Sequence, residues 1–295
     1  MSTILRGRRR GRLVAGVLLA AAMTGGSAFA TAPGVGAQAN PFQRGPDPTA
    51  TSIAGAGPFA ISSTTVGGGN GFGSATIYFP TDTSQGTFGG IAVAPGFTET
   101  QSALSWFAQR LATHGFVVIN ISTNSRFDQP PARATQLQNA LNYLVNSSSV
   151  RTRVDGSRLG VAGHSMGGGG SIQATNNNRN LQASVPLMPY HTTKSWPGVV
   201  TPTLIVGAEN DNTAPVANHA ERFYTSMTSA QEKAYLELNN AGHLVSNSPN
   251  ATISAFGVAW VKRYIDNDTR YEQFLCPPPA VSNAISEYRD TCPGS

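Results

Sequence analysis

The sequence predicts an α/β fold: a mostly parallel central sheet with helices on both faces and no lid over the site. Three observations carry this. Apolar runs of strand length alternate with segments of helical spacing from Gly90 onward, a glycine-flanked serine sits where one such strand turns into a helix, and only the short stretch Pro189 to Thr201 connects the strand after that helix to the next. Alternating strands and helices pack as a parallel sheet covered on both faces, whose ligands bind at the carboxyl ends of the strands.

Asn40 to Pro58 carries four prolines and interspersed glycines and is expected to be extended. Phe59 to Thr65 and Ser74 to Phe79 read as antiparallel strands joined by the turn-forming Gly67-Gly68-Gly69-Asn70-Gly71. No helix is expected after those glycines and no G-x-x-x-x-G-K-[ST] occurs, so they are assigned to a hairpin rather than a phosphate cradle. Gly90 to Ala94, Phe116 to Ile121, Leu159 to Ala162, Ala183 to Met188, Thr203 to Val206 and Lys233 to Leu238 are the expected core strands. Gln101 to His114, Ala132 to Val145, Met166 to Thr175, Pro215 to Thr225 and Ser248 to Asp266 are the expected helices between them. Pro215 suits a helix start, where a missing N–H costs nothing.

Arg6, Arg8, Arg9, Arg10 and Arg12 precede the apolar run Leu13 to Ala22, and small-residue cleavage sites follow at Ala28-Phe29-Ala30 and Ala37-Gln38-Ala39. This is the pattern of a secretory signal, too short to span a bilayer, so residues 1–39 are expected to be removed and residues 40–295 exported as one domain. The chain of 295 residues has a formal net charge of +5, but those five arginines account for all of it. No Lys/Arg cluster survives elsewhere, which argues against a nucleic-acid partner, and no membrane span is expected. Cys276 and Cys292 are the only cysteines. In an oxidising compartment they are expected to pair as one disulfide closing a short loop, and two cysteines without a nearby histidine do not make a zinc site. No metal or cofactor is expected, and nothing suggests more than a monomer.

The candidate chemistry starts at Gly163-His164-Ser165-Met166-Gly167, the G-x-S-x-G nucleophile elbow of serine hydrolases of the α/β-hydrolase fold. A strand turning sharply into a helix leaves no room for a Cβ at the flanking positions and strains the serine. A serine hydroxyl needs a histidine base and an orienting carboxylate, which follow in the chain order Ser, Asp/Glu, His. Asp211, after the strand Thr203 to Val206, and His243, after Lys233 to Leu238, satisfy that order at carboxyl ends of strands. Glu209 shares the loop with Asp211 but is nearer the strand. His191 precedes Asp211 and fails the order. His114 is assigned to a helix end, as a cation complementing its dipole. His219 is expected to be exposed within a helix, and His164 to point away from the serine hydroxyl. Oxyanion donors are expected from the backbone N–H of Met166 and, in the loop Ala94-Pro95-Gly96-Phe97-Thr98, of Phe97. Without a lid the site is expected to be a shallow groove lined by Phe97, Met166, Tyr190, Trp196 and Thr213, open to a segment of a bulky polymer.

The elbow extended through Gly170, the Pro95-Gly96-Phe97 loop, Glu209-Asn210-Asp211 with Ala214-Pro215, and the tail from Asp266 to Tyr271 and Phe274 to Pro277 resemble the bacterial cutinases and polyester hydrolases, including poly(ethylene terephthalate) hydrolases. The resemblance spans essentially the whole exported chain. It implies an α/β-hydrolase acting on cutin, aliphatic polyesters and short acyl esters, in some members on aromatic polyesters. It also implies the triad Ser165, Asp211 and His243, the oxyanion pair Phe97 and Met166, and the Cys276–Cys292 disulfide. Three departures stand out. Family members commonly have Trp where this chain has Tyr190. Calcium-binding members use acidic residues near Glu209, Asn239 and Glu287, of which Asn239 is not acidic. Members with a second disulfide have cysteines where this chain has Ala208 and Val245. The competing readings are a secreted triacylglycerol lipase, a cell-envelope acyltransferase, and a catalytically silent surface-binding protein.

Overall fold

The computed structural model describes residues 40–292, so the expected signal peptide at 1–39 lies outside the described residues. A glycine-rich turn joins β1 (Ile61–Val66) to β2 (Ser74–Pro80) as an antiparallel hairpin, as predicted. Then follow β3 (Phe88–Ala94), β4 (Phe116–Ser122), β5 (Val154–His164), β6 (Ala183–Leu187), β7 (Thr203–Ala208), β8 (Lys233–Leu238) and β9 (Ile285–Asp290). They form one sheet in the order β1-β2-β4-β3-β5-β6-β7-β8-β9. The strands from β4 to β8 in that order are parallel, and both edges are closed by antiparallel pairs.

The core strands are buried on both faces, because successive side chains point to opposite sides of a sheet that helices cover twice. Every residue of β3, β6 and β7 is buried. In β3, Ile91 and Val93 pack with Phe107 and Leu111 of α2 (Ser105–Thr113) and with Val258 and Trp260 of α6 (Ala251–Ile265). Their neighbours Ala92 and Ala94 turn the other way, towards Leu137, Leu141 and Leu144 of α3 (Pro130–Asn146). In β7, Ile205 meets Ile172 of α4 (Met166–Asn177) and Phe223 of α5 (Ala220–Ser226).

Local signals set the helix ends. Prolines occupy the first positions of α3, and the Asn250 side chain accepts the Ile253 N–H to cap α6. Two expectations need correction here. The N-terminal segment is not wholly extended: α1 (Ala50–Ala54) forms a single turn, held by a reciprocal cap in which Thr49 accepts from the Ser52 N–H and Ser52 from the Thr49 N–H. Residues 285–290, assigned to no element from the sequence, form β9. Its Tyr288 packs on Phe256, and the Cys276–Cys292 disulfide, with Cα atoms 5.8 Å apart, brackets the strand.

Because β5, β7 and β8 run parallel, the loops after their carboxyl ends share one edge of the sheet. Ser165 follows β5, Asp211 follows β7 and His243 follows β8. No helix is inserted between β6 and β7, where a lid would lie.

Candidate active site

The elbow is built as its glycines demand. Ser165 has φ 53° and ψ −118°, in the strained left-handed range, between the end of β5 and the start of α4. A Cβ on Gly163 would lie 2.5 Å from the backbone of Gly167, and one on Gly167 would lie 2.3 Å from the Ala94 carbonyl oxygen. The glycines that flank Ser165 are thereby packed against the end of β3 at Ala94 and Pro95.

Ser165 Oγ is 2.8 Å from His243 Nε2, and His243 Nδ1 is 2.7 Å from Asp211 Oδ2. The other Asp211 oxygen accepts the N–H groups of Thr213 (2.9 Å) and Ala214 (2.7 Å). Burial would raise the Asp211 carboxyl, but the hydrogen bond from His243 and those two backbone donors outweigh it and hold the pKa below the usual value. Asp211 therefore stays an anion with its second oxygen aimed at the imidazole.

The expected oxyanion donors flank the serine. Met166 is the first residue of α4, where the N–H has no partner within the helix. In the loop after β3, Gly96 N–H is committed to Glu99 Oε2 (2.5 Å) and Thr98 N–H to the Arg126 carbonyl (2.8 Å), and no described hydrogen bond uses the Phe97 N–H between them. Arg133, fully buried, holds this loop from below: its guanidinium donates to the carbonyls of Pro95 (2.9 Å), Arg126 (3.0 Å) and Asp128 (2.8 Å). Burial pulls the Arg133 pKa down to about 10, so it remains a cation at neutral pH.

The rim is apolar and exposed. Phe97 is 44% exposed and its ring meets Phe127, 63% exposed, edge to face at 5.6 Å. Leu244, next to His243, is 62% exposed. Thr213 is exposed, while Met166 and Tyr190 are half-buried, with the Tyr190 N–H on the Ser165 carbonyl. Trp196 does not line the groove as expected. It is buried against His191 and Phe223, because the β6–β7 connection folds back over α5. Phe127 and Leu244 were missed, since apolar residues in loops, outside strands and helices, give no periodic signal.

Of the rival residues, Glu209 turns to the Asn240 N–H (2.7 Å) and His191 to Gln173 (2.8 Å). His219 is buried rather than exposed. It sits at the break before α5, stacks on Tyr190 at 5.0 Å and faces Lys194 Nζ at 2.6 Å. His114 is not a cation at a helix end: burial pushes its pKa down to about 4, and Nε2 meets the Gly55 carbonyl at 3.1 Å.

His164 points away from the serine hydroxyl, and its partners are the main feature that the sequence did not disclose. Its Nδ1 is 3.0 Å from Glu99 Oε2, its Nε2 is 2.9 Å from the His243 carbonyl oxygen, and Asn247 donates to Glu99 Oε1 at 2.6 Å. Burial would raise the Glu99 carboxyl, but the hydrogen bond and charge of His164, with the donors of Asn247 and Gly96, bring it down to about 2. A folded-state pKa depressed in this way stabilises the protein above the unfolded value and loses that contribution as pH falls towards 2. Glu99→Gln is accordingly expected to melt below the unchanged protein at pH 6, with the gap closing as pH drops from about 4.5 to 2. A gap that stayed constant in melts across that range would rule out a stabilising role for the charge.

A mostly parallel sheet with a strained serine between strand and helix, and a histidine and carboxylate delivered from later strands, defines the class of α/β-hydrolases. The family described as PET hydrolase-like matches residues 36–293. A bis(hydroxyethyl) terephthalate hydrolase of Streptomyces coelicolor is 52% identical over 98% of this chain and 94% of its own length. Cutinases of Thermobifida alba (51% identical, 86% of this chain, 88% of theirs) and Thermobifida fusca (49%, 86% and 86%) are similar over nearly the same span. The chain belongs to the PET hydrolase-like family and is a carboxylic ester hydrolase.

Proposed function

We propose that the protein is a secreted serine esterase that hydrolyses ester bonds of polyesters and short acyl esters through the triad Ser165–His243–Asp211 and an acyl-enzyme. The observation that carries this reading is the continuous chain of contacts Ser165 Oγ to His243 Nε2 (2.8 Å) and His243 Nδ1 to Asp211 (2.7 Å), opening on the exposed rim of Phe97, Phe127 and Leu244. Relatives named as cutinases and as a bis(hydroxyethyl) terephthalate hydrolase support the substrate class.

In this mechanism Ser165 Oγ attacks the ester carbonyl carbon while His243 Nε2 takes its proton. The carbonyl oxygen becomes an oxyanion held by the Met166 and Phe97 N–H groups. The C–O bond to the alcohol then breaks, the alcohol leaves with the proton from His243, and an acyl-serine remains. Water repeats the sequence, giving up a proton to His243, and releases the acid and the free serine. Asp211 fixes the imidazole and stabilises its charge while it holds the proton. An open, aromatic rim suits a polymer segment lying across the surface, which a closed pocket would exclude. Export is supported by the Cys276–Cys292 disulfide, since such bonds persist in oxidising compartments.

The test is covalent labelling by a fluorophosphonate, followed by mass mapping, with hydrolysis measured in parallel on p-nitrophenyl butyrate and on films of cutin, polycaprolactone and poly(ethylene terephthalate). Label on Ser165 together with soluble acid from at least one film is the expected result. Absence of label at Ser165 would remove the mechanism. Activity confined to long-chain triacylglycerols would move the assignment to a lipase.

A further inference from the structure

Glu99 and His164 take no part in the steps above, yet they touch three of the parts that do. Glu99 Oε2 accepts the Gly96 N–H, beside the oxyanion donor Phe97, and His164 Nε2 reaches the carbonyl of His243 itself. His164 is also the residue before Ser165. The contact is close-fitted: a Cβ on Gly96 would lie 2.7 Å from Glu99 Oε2 and 2.9 Å from His164 Nδ1. His164 is 1% exposed, and its ring centre lies 4.8 Å from that of His243. Both its nitrogens face acceptors, a carboxylate and a backbone carbonyl, which have no proton to give. Both bonds form together only when each ring nitrogen carries a hydrogen. Asn247, four residues after His243, donates to the remaining Glu99 oxygen and ties that segment to the same anion.

We propose that Glu99 and His164 are a positioning pair for hydrolysis, clamping the Gly96–Phe97 turn to the backbone of His243 so that oxyanion donor, nucleophile and base keep one mutual spacing. This rests on the assignment of Ser165 as nucleophile, His243 as base and Phe97 as donor. Both side chains lie largely behind the exposed rim, at 1% and 15% side-chain exposure for His164 and Glu99. They act by fixing two groups that belong to different loops and that no direct described hydrogen bond joins. A misplacement of about 1 Å at such groups costs on the order of a hundredfold in rate.

The experiment is steady-state kinetics on p-nitrophenyl butyrate for Glu99→Gln, His164→Ala and His164→Gln, each with its thermal melt, alongside Ser165→Ala. Glu99→Gln is expected to lower kcat by about ten- to a hundredfold with KM within about twofold. His164→Gln can still place an amide donor near the His243 carbonyl and is expected to retain more kcat than His164→Ala of equal Tm. The proposal is overturned if Glu99→Gln keeps kcat within about twofold, if its loss lies in KM, or if the two His164 variants lose kcat only in step with Tm. Activity surviving in Ser165→Ala would instead sink the assignment of the nucleophile, whatever Glu99 does.

Discussion

Ser165→Ala is expected to remove about six orders of magnitude from kcat, and Asp211→Asn about four, with KM for a short ester little changed in either. The difference in size follows from the geometry. In the proposed mechanism, loss of Oγ removes the nucleophile, and the remaining rate comes only from oxyanion donors and binding. With Asn at 211 the nucleophile and base are present, but the amide can present an N–H where Oδ2 now accepts from His243 Nδ1 at 2.7 Å. That turns the imidazole to the tautomer with its hydrogen on Nε2, which cannot take the serine proton. The other amide arrangement keeps the tautomer but removes the anion that stabilises the charged ring, and leaves an NH₂ facing the N–H groups of Thr213 and Ala214. Active-site titration with a fluorophosphonate and single-turnover acylation check both variants. Asp211→Asn acylating within about tenfold of the unchanged rate would show that another carboxylate orients His243.

How much of this was legible depends on whether a feature is periodic. β3, β4, β6 and β7 are almost wholly buried and mostly apolar because both faces of the sheet are covered, and β8 is apolar apart from Lys233 and Glu237, so these segments stand out. That Ser165, Asp211 and His243 meet was legible because each follows such a strand and the parallel order brings the following loops to one edge. β9 was not, because Ser286, Glu287, Arg289 and Asp290 interrupt its apolar residues. It is stable as an edge strand since Arg289 bridges Glu287 and Glu221 while Tyr288 covers Phe256. His219 and Trp196 were misplaced for a related reason: a break at His219 between a short 3-10 turn and α5 turns His219 inward, while the β6–β7 connection lays Trp196 against Phe223 of α5, and no spacing rule encodes either feature. Glu99 was invisible because its meaning lies in His164 and Asn247, 65 and 148 positions away in the chain.

The largest stability effect is expected far from the rim, at Asp266→Asn. Asp266 is 1% exposed and its carboxylate lies between Arg158 Nη1 and Lys262 Nζ, each at 2.5 Å. Burial pushes the Asp266 carboxyl up, against the pull of Lys262 and Arg158. The two cations differ in what they keep when the anion is removed. Arg158 retains Asp155 at 2.9 Å, the Thr87 carbonyl at 3.1 Å and the face of Phe42 at 4.4 Å. Lys262, fully buried, has among the described residues no second carboxylate, only the rings of Phe116 and Tyr271, at 5.5 and 5.7 Å. Breaking a buried pair costs about 3–5 kcal/mol because a charge is left uncompensated, whereas the Arg270–Asp47 contact, with Asp47 91% exposed, is worth at most about 1 kcal/mol. For a domain of this size the larger figure corresponds to a Tm lower by about 10 °C or more. Thermal melts should therefore separate Asp266→Asn sharply from Asp47→Asn. The double change Asp266→Asn with Lys262→Met should recover much of the loss, because the stranded charge goes with it. A Tm for Asp266→Asn within about 2 °C of the unchanged protein would mean that Lys262 sheds its proton or reaches water at little cost.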